Sequence, residues 1–206
     1  MDAMNPDPNL SPFAEDVMST DDSTGAAEAP LVDYGDLDAE WVNAIEVQTE
    51  QMAGRQRRIA AQLLIPHPPE QVWQILTDYE HLADFIPNLS TSRRLDHPEG
   101  GIRVEQVGSQ RLLKFKFCAR VVLDMVEQAP HRIDFQMVEG DFKNFVGHWQ
   151  LEPTELEGRS ATLLGYTLCV TPTRLMPVNL IERRMGQGLR VNLAAIYQRA
   201  NELFLA

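Results

Sequence analysis

Five histidines and two cysteines are the groups best able to hold a metal or act as nucleophiles, and their spacing supports neither role. His67 and His97 lie beside prolines in turn-forming stretches, His81 and His131 stand where elements begin, and His148 takes the outward phase of an alternating run. No two are four residues apart, the spacing that would put a ligand pair on one face of a helix. Cys118 and Cys169 form no CxxC pair and have no neighbouring histidine, so the sequence predicts reduced structural thiols rather than a zinc module, a disulfide scaffold or a catalytic thiol. There is no Gly-x-Ser-x-Gly elbow, no phosphate-binding glycine loop and no dinucleotide fingerprint. The expectation is no metal and no cofactor. Among the remaining groups, Glu105 and Glu139 could approach the concave side of a sheet, and proton transfer needs a polar group aimed at the reacting atom. Tyr166 is the best inward polar handle and the one weak catalytic candidate, followed by Arg111 and Asn192. A tyrosine on an apolar phase that packs only by its ring is an equally good account.

These groups must be positioned by strands. Arg111 to Gln128 alternates with period two: Leu113, Phe115, Phe117, Ala119, Val121, Leu123 and Met125 share one phase, and Lys114, Lys116, Cys118, Arg120 and Asp124 share the other. That pattern predicts a half-buried antiparallel strand, bent or bulged midway. Ile133, Phe135 and Met137 repeat it, then Phe145, Gly147, Trp149 and Leu151, then Leu164, Tyr166, Leu168 and Val170. Shorter strands are predicted at 59–65, 89–95 and 102–107. Pro68-Pro69-Glu70 opens a short helix, since proline is tolerated in a first turn. A second short helix runs from Tyr79 to Phe85. Gly140 is expected to supply a positive φ at a hairpin turn. From about Pro177, apolar residues recur at helical spacing to the end of the chain. Gly186 and Gly188 interrupt that helix, which implies a packing or kinking reason for each. The meander is too long to stay flat, and this helix is the element available to cover its apolar face.

Charge divides the chain. The first 50 residues hold 13 of the 30 acidic residues and none of the 18 basic ones. Residues 1–35, rich in proline and acid, are read as a disordered tail, which is neither a secretory signal nor an organelle transit peptide. Residues 36–54 are read as a linker able to form a short helix or an added strand, and 55–206 as the domain. No apolar run reaches the roughly 20 residues of a membrane-spanning helix. Arg55, Arg57, Arg58, Arg93, Arg94, Lys114, Lys116, Arg120, Arg183 and Arg184 are read as a charged, solvated outer face, because the domain is close to neutral and nucleic-acid binding needs a basic patch.

The stretch Pro68-Pro69-Glu70-Gln71-Val72-Trp73 through Asp78-Tyr79, then Phe85-Ile86-Pro87, Glu139-Gly140-Asp141-Phe142 with Phe145, Trp149 and Leu151, and finally Met176-Pro177 through Glu182 with Asn192-Leu193, resembles the START-like or SRPBCC (helix-grip) superfamily. Within it, the polyketide cyclase/dehydrase and coenzyme Q-binding branch is the nearest likeness, over about residues 57–204. The resemblance implies an α+β helix-grip fold: a curved antiparallel sheet of about seven strands around a long C-terminal helix, with two short helices after the first strand. It also implies a hollow between sheet and helix, lined by Phe85, Phe115, Phe117, Val121, Met125, Phe135, Met137, Phe145, Trp149, Tyr166, Met185 and Leu189. A space of roughly 300–1,000 Å³ with few polar groups would suit a lipid or a prenylquinone. The expected function is non-catalytic binding or transport of such a molecule, entering past the loop at Phe85–Asn88. A polyketide cyclase or dehydratase is the alternative, and a ribosome- or protein-associating module a further one, since the branch includes a toxin-like ribosome-associated protein. The expected partners are the hydrophobic ligand and a transient membrane or protein contact, with no nucleic acid. The expected location is the cytoplasm, at the periphery of a membrane if one is involved.

Overall fold

The computed structural model describes residues 34–112 and 115–205, with backbone alone at 110–112 and 115–117. The expected disorder of residues 1–35 therefore falls almost wholly outside the described residues. The elements run α1 (Ala39–Ala44), β1 (Val47–Gln51), β2 (Arg57–Ile65), α2 (Pro69–Thr77), α3 (Leu82–Phe85), β3 (Leu89–Leu95), β4 (Ile102–Leu112), β5 (Phe115–Gln128), β6 (Arg132–Gly140), β7 (Asn144–Leu156), β8 (Arg159–Thr171) and α4 (Val178–Phe204).

One antiparallel sheet of eight strands results, in the order β1-β2-β8-β7-β6-β5-β4-β3. It is the α+β helix-grip arrangement, with one strand more than expected. The additional strand is β1, and residues 36–54, read as a linker able to form a short helix or an added strand, hold both. Alternation explains the rest. Along β8, Leu164, Tyr166, Leu168 and Val170 are buried while Leu163, Gly165, Thr167 and Cys169 between them are half-exposed. Tyr166 faces Trp149 across the β7–β8 ladder, and Val121 faces Gln106 across β4–β5, so the apolar phases fall on one concave side. The register shifts between Val122 and Leu123, where Val122 pairs with Glu139 but Leu123 with Met137. That irregularity bends the long β5–β6 pair.

Two glycines make close approaches possible. Gly147 lies opposite Phe135, and a Cβ there would come within 2.2 Å of the Thr167 carbonyl and 2.5 Å of the Phe135 ring. Gly140 has the expected positive φ, 158°, but as the last residue of β6, opposite Val121 and next to the hairpin loop, and a Cβ there would stand 2.6 Å from the Arg120 carbonyl.

α2 starts with Pro69 at its first turn and buries Val72, Ile75 and Leu76, one helical stripe. α4 crosses the concave face and buries Ile181, Leu189, Leu193 and Ile196. Its start is held by Arg55, whose Nη2 donates to the carbonyl of Thr173 at 2.9 Å and to that of Met176, and by the Arg57–Glu182 ion pair at 2.7 Å. α1 lies on the far side of α4: Asp38 caps it by accepting from the amides of Glu40 and Trp41, Val42 and Ile45 are buried, and Trp41 packs on Tyr197. Arg190 of α4 donates to the Ile45 carbonyl at 2.7 Å. His67, expected in a turn, is in one but buried. Its Nδ1 lies 3.1 Å from Gln71 Oε1 and its Nε2 2.9 Å from Asn201 Oδ1, which ties the start of α2 to the end of α4.

Candidate functional site

Sheet and α4 do not meet flush. Between them lies a partly enclosed cavity of about 190 Å³. Its floor is aromatic. Trp149 of β7 and Tyr166 of β8 stack with centroids 3.8 Å apart and planes at 14°, Tyr166 meets Phe135 edge-on at 6.1 Å, and Phe135, Phe145 and Phe142 continue the series. Gly147 is what makes this possible, because the Phe135 ring occupies the space a side chain there would take. Ala119, Val121, Leu123 and Met125 of β5 form one wall, with Gln106 and Gly108 of β4 beside them. α4 contributes Arg184, Met185, Gly188, Leu189, Asn192 and Ile196. The loop Ile86–Leu89 closes a further side, and the Ser109 amide donates to the Asn88 carbonyl at 2.8 Å, pinning that loop to β4. Asn88 has φ of 65°, a left-handed conformation that asparagine adopts more readily than most residues.

Of the twelve residues expected to line a hollow, Val121, Met125, Phe135, Phe145, Trp149, Tyr166, Met185 and Leu189 do so. Phe85 does not line it. α3 turns its ring toward the end of α4, where the Arg199 guanidinium lies 5.7 Å from its centroid. Met137 packs against the core beside the register shift rather than in the cavity wall. The side chains of Phe115 and Phe117, and of Arg111, lie outside the described residues. The space is also smaller than the range expected from the sequence.

The polar groups sort by strand phase. The register decides against an inward Glu105: its neighbour Gln106 pairs with Val121 and takes the concave phase, and Glu105 faces outward. There it accepts from Arg93 Nε at 2.5 Å and Arg120 Nε at 2.6 Å, and Arg120 also reaches Glu139 at 2.5 Å. Arg120 first, then Arg93, hold the Glu105 carboxyl below its ordinary pKa by hydrogen bonding to the charged form. Glu139 is therefore outside as well. Asp124 pairs with Arg103 and Asp134 with Arg132 on the same face, each carboxyl held low chiefly by that hydrogen bond. Inside, Tyr166 is buried and burial alone pushes its hydroxyl pKa up. Tyr79 also lines the cavity and donates to Glu127 at 2.7 Å, with its pKa raised by burial and then by that carboxylate.

Arg184 is the residue the sequence reading misplaced. Counted among the solvated basic groups, it is 2% exposed and lines the cavity. The signal was present in the spacing, since Arg184, Gly188 and Asn192 share one helix face with Met185 and Leu189 close by. Among the described residues, no cluster of three His, Cys, Asp or Glu stands close enough for a metal ion, and no helix is long and apolar enough to cross a membrane.

A sequence profile of the family described as polyketide cyclase / dehydrase and lipid transport matches residues 65–196. The ribosome association toxin RatA of Escherichia coli K12 is 26% identical over 150 residues, covering 72% of this chain and 90% of that protein. Two solved structures have the same fold. The Zhui aromatase/cyclase from Streptomyces sp. R1128 matches with a TM-score of 0.57 at 16% identity, over 71% of this chain and 94% of the other. A STAR-related lipid transfer protein from Xanthomonas axonopodis matches with a TM-score of 0.60 at 15% identity, over 80% and 96%.

Proposed function

The chain belongs to the polyketide cyclase / dehydrase and lipid transport family, and from that premise we propose that it binds a hydrophobic small molecule, lipid or prenylquinone in type, between sheet and α4 without transforming it. The observation that carries this reading is the cavity floor: the stacked Trp149–Tyr166 pair and the phenylalanines beside it offer flat apolar area and almost nothing that can move a proton. The Tyr166 hydroxyl is made a weaker acid by its burial, so the cyclase alternative would have to run on a group that holds its proton more tightly than free tyrosine. The cavity measures about 190 Å³ as it stands, and a ligand larger than a single ring system, Nile red or a twelve-carbon chain included, enters by moving the methionines or the loop Ile86–Leu89.

The relative named for ribosome association suggests a different reading, through a basic outer face. Against it, Arg93, Arg103, Arg120 and Arg132 on that face each lie against a carboxylate, which reduces what they could offer a phosphate backbone.

Gly188 provides the test. A Cβ there meets nothing within 4 Å, and the residue lines the cavity. Gly188→Leu is expected to fill the space while gaining up to about 1 kcal/mol of helix propensity. The account predicts that it keeps or raises the unfolding temperature and lowers the affinity for an apolar fluorescent probe such as Nile red by about tenfold or more. Unchanged probe binding by a well-folded Gly188→Leu would place the binding elsewhere and remove the proposal.

A further inference from the structure

The cavity wall is apolar except at a few points, and one of these carries a full charge. Arg184 lies in the first half of α4, buried, in the same wall as Met185 and Leu189. Arg184, Gly188 and Asn192 follow one another at four-residue intervals and so form a single ridge along the helix. All three line the cavity, and the glycine leaves open space between the other two. At 1.5 Å per residue, the backbone positions of the arginine and the asparagine are roughly 12 Å apart. No aspartate or glutamate is among the described residues of that wall.

Removing an ionised group from water costs several kcal/mol, and an arginine cannot avoid that cost by giving up its proton. A guanidinium presents five N–H donors in a rigid fork, shaped for two oxygens of one acid. Arg184 also interacts within the protein, so an acidic ligand would share its N–H donors with the partner it already has or displace that partner. The aromatic floor and this cation together describe the two ends of one molecule.

The inference rests on the carrier reading above and narrows it. We infer that Arg184 recognises an acidic oxygen group on the ligand, so that the cargo is an amphipathic acid: an apolar body on the Trp149–Tyr166 floor and a carboxylate, phosphate or acidic enol against the guanidinium.

The experiment compares dodecanoic acid with dodecanol, which share a chain and differ in the headgroup charge, as displacers of Nile red from the full-length protein at neutral pH. The native chain is expected to bind the acid about tenfold or more tightly than the alcohol, the scale of a charge-assisted hydrogen-bonded pair. Arg184→Gln should bring the two affinities together, each displacement being scaled to that variant's own affinity for Nile red, and Arg184→Lys should keep part of the preference. Equal affinities in the native chain would overturn the inference while leaving the carrier reading in place. A folded Arg184→Gln that keeps the full preference would overturn it too, and if that variant also unfolds at lower temperature the arginine is a structural pin. If Arg184→Gln does not fold, Arg184→Lys decides: an acid preference smaller than the native chain's supports the inference, and an undiminished one overturns it. Failure of the native chain to bind Nile red or either compound would defeat the carrier reading and this inference with it.

Discussion

Glu105 and Tyr166 are both buried, on opposite faces of one sheet and by different means. Two guanidinium groups cover the carboxylate, and aromatic rings cover the phenol. For Glu105 the partners favour the charged form, so its pKa is lower in the folded chain than in the unfolded one. Its contribution to stability is complete above the unfolded value, about 4.3, and is lost as pH falls through the lower folded value. Asp124 and Asp134 are shifted the same way and act in the same window. Glu105→Gln should therefore lower the unfolding temperature at pH 7 and flatten its decline in acid, measured by thermal melts between pH 2 and 7. A variant whose acid decline matches the native chain would deny Glu105 that role. Glu105 was hard to assign from the sequence because the inward phase of β4 is Ile102, Val104, Gln106 and Gly108, and its last two members carry no apolar signal. Arg184 departs from the expected solvated face for a related reason: its charge predicts exposure, whereas its spacing places it on the apolar side of α4.

The strands carry their instructions in alternation, and β5, β6, β7 and β8 were legible because apolar residues hold one phase throughout. β1 was legible only as one alternative for residues 36–54, because four of its five residues are exposed and its sequence, Val-Gln-Thr-Glu-Gln, has no apolar phase to read. α1 has six residues, too few for a periodic signal, and owes its place to the Asp38 cap and to Val42 and Ile45 packed by tertiary contact. Where the sequence pattern contains a gap, the packing shows why. Gly147 interrupts the apolar phase of β7 so that Phe135 can lie across it. Gly147→Ala should destabilise the chain by about 1–3 kcal/mol or more through overpacking, read by denaturant unfolding, because both the Thr167 carbonyl and the ring must move. A neutral effect would mean that the Phe135 ring is not held where the cavity floor requires it. The cavity itself was legible only in part: the alternating phase named most of its strand residues, whereas its volume depends on how far α4 stands from the sheet, which no local pattern encodes.

At the scale of the whole molecule, two surfaces with different chemistry are kept apart by a single sheet. The convex side carries arginine–carboxylate pairs and the concave side carries rings, methionines and α4. Strand alternation assigns successive side chains to these two sides, so a charged network and an apolar cavity can be encoded in the same strands without competing. The described residues ahead of the family match, 34–64, do not stand apart, since β1 extends the sheet beyond β2 and α1 packs against α4. The central claim is that the concave side receives a guest molecule. Native mass spectrometry of the full-length protein purified from its own source, under conditions that preserve non-covalent complexes, tests this most directly. The account predicts a population heavier than the bare chain by the mass of one small apolar molecule, removed by organic solvent and absent from Gly188→Leu. Repeated preparations showing the bare chain alone would contradict it.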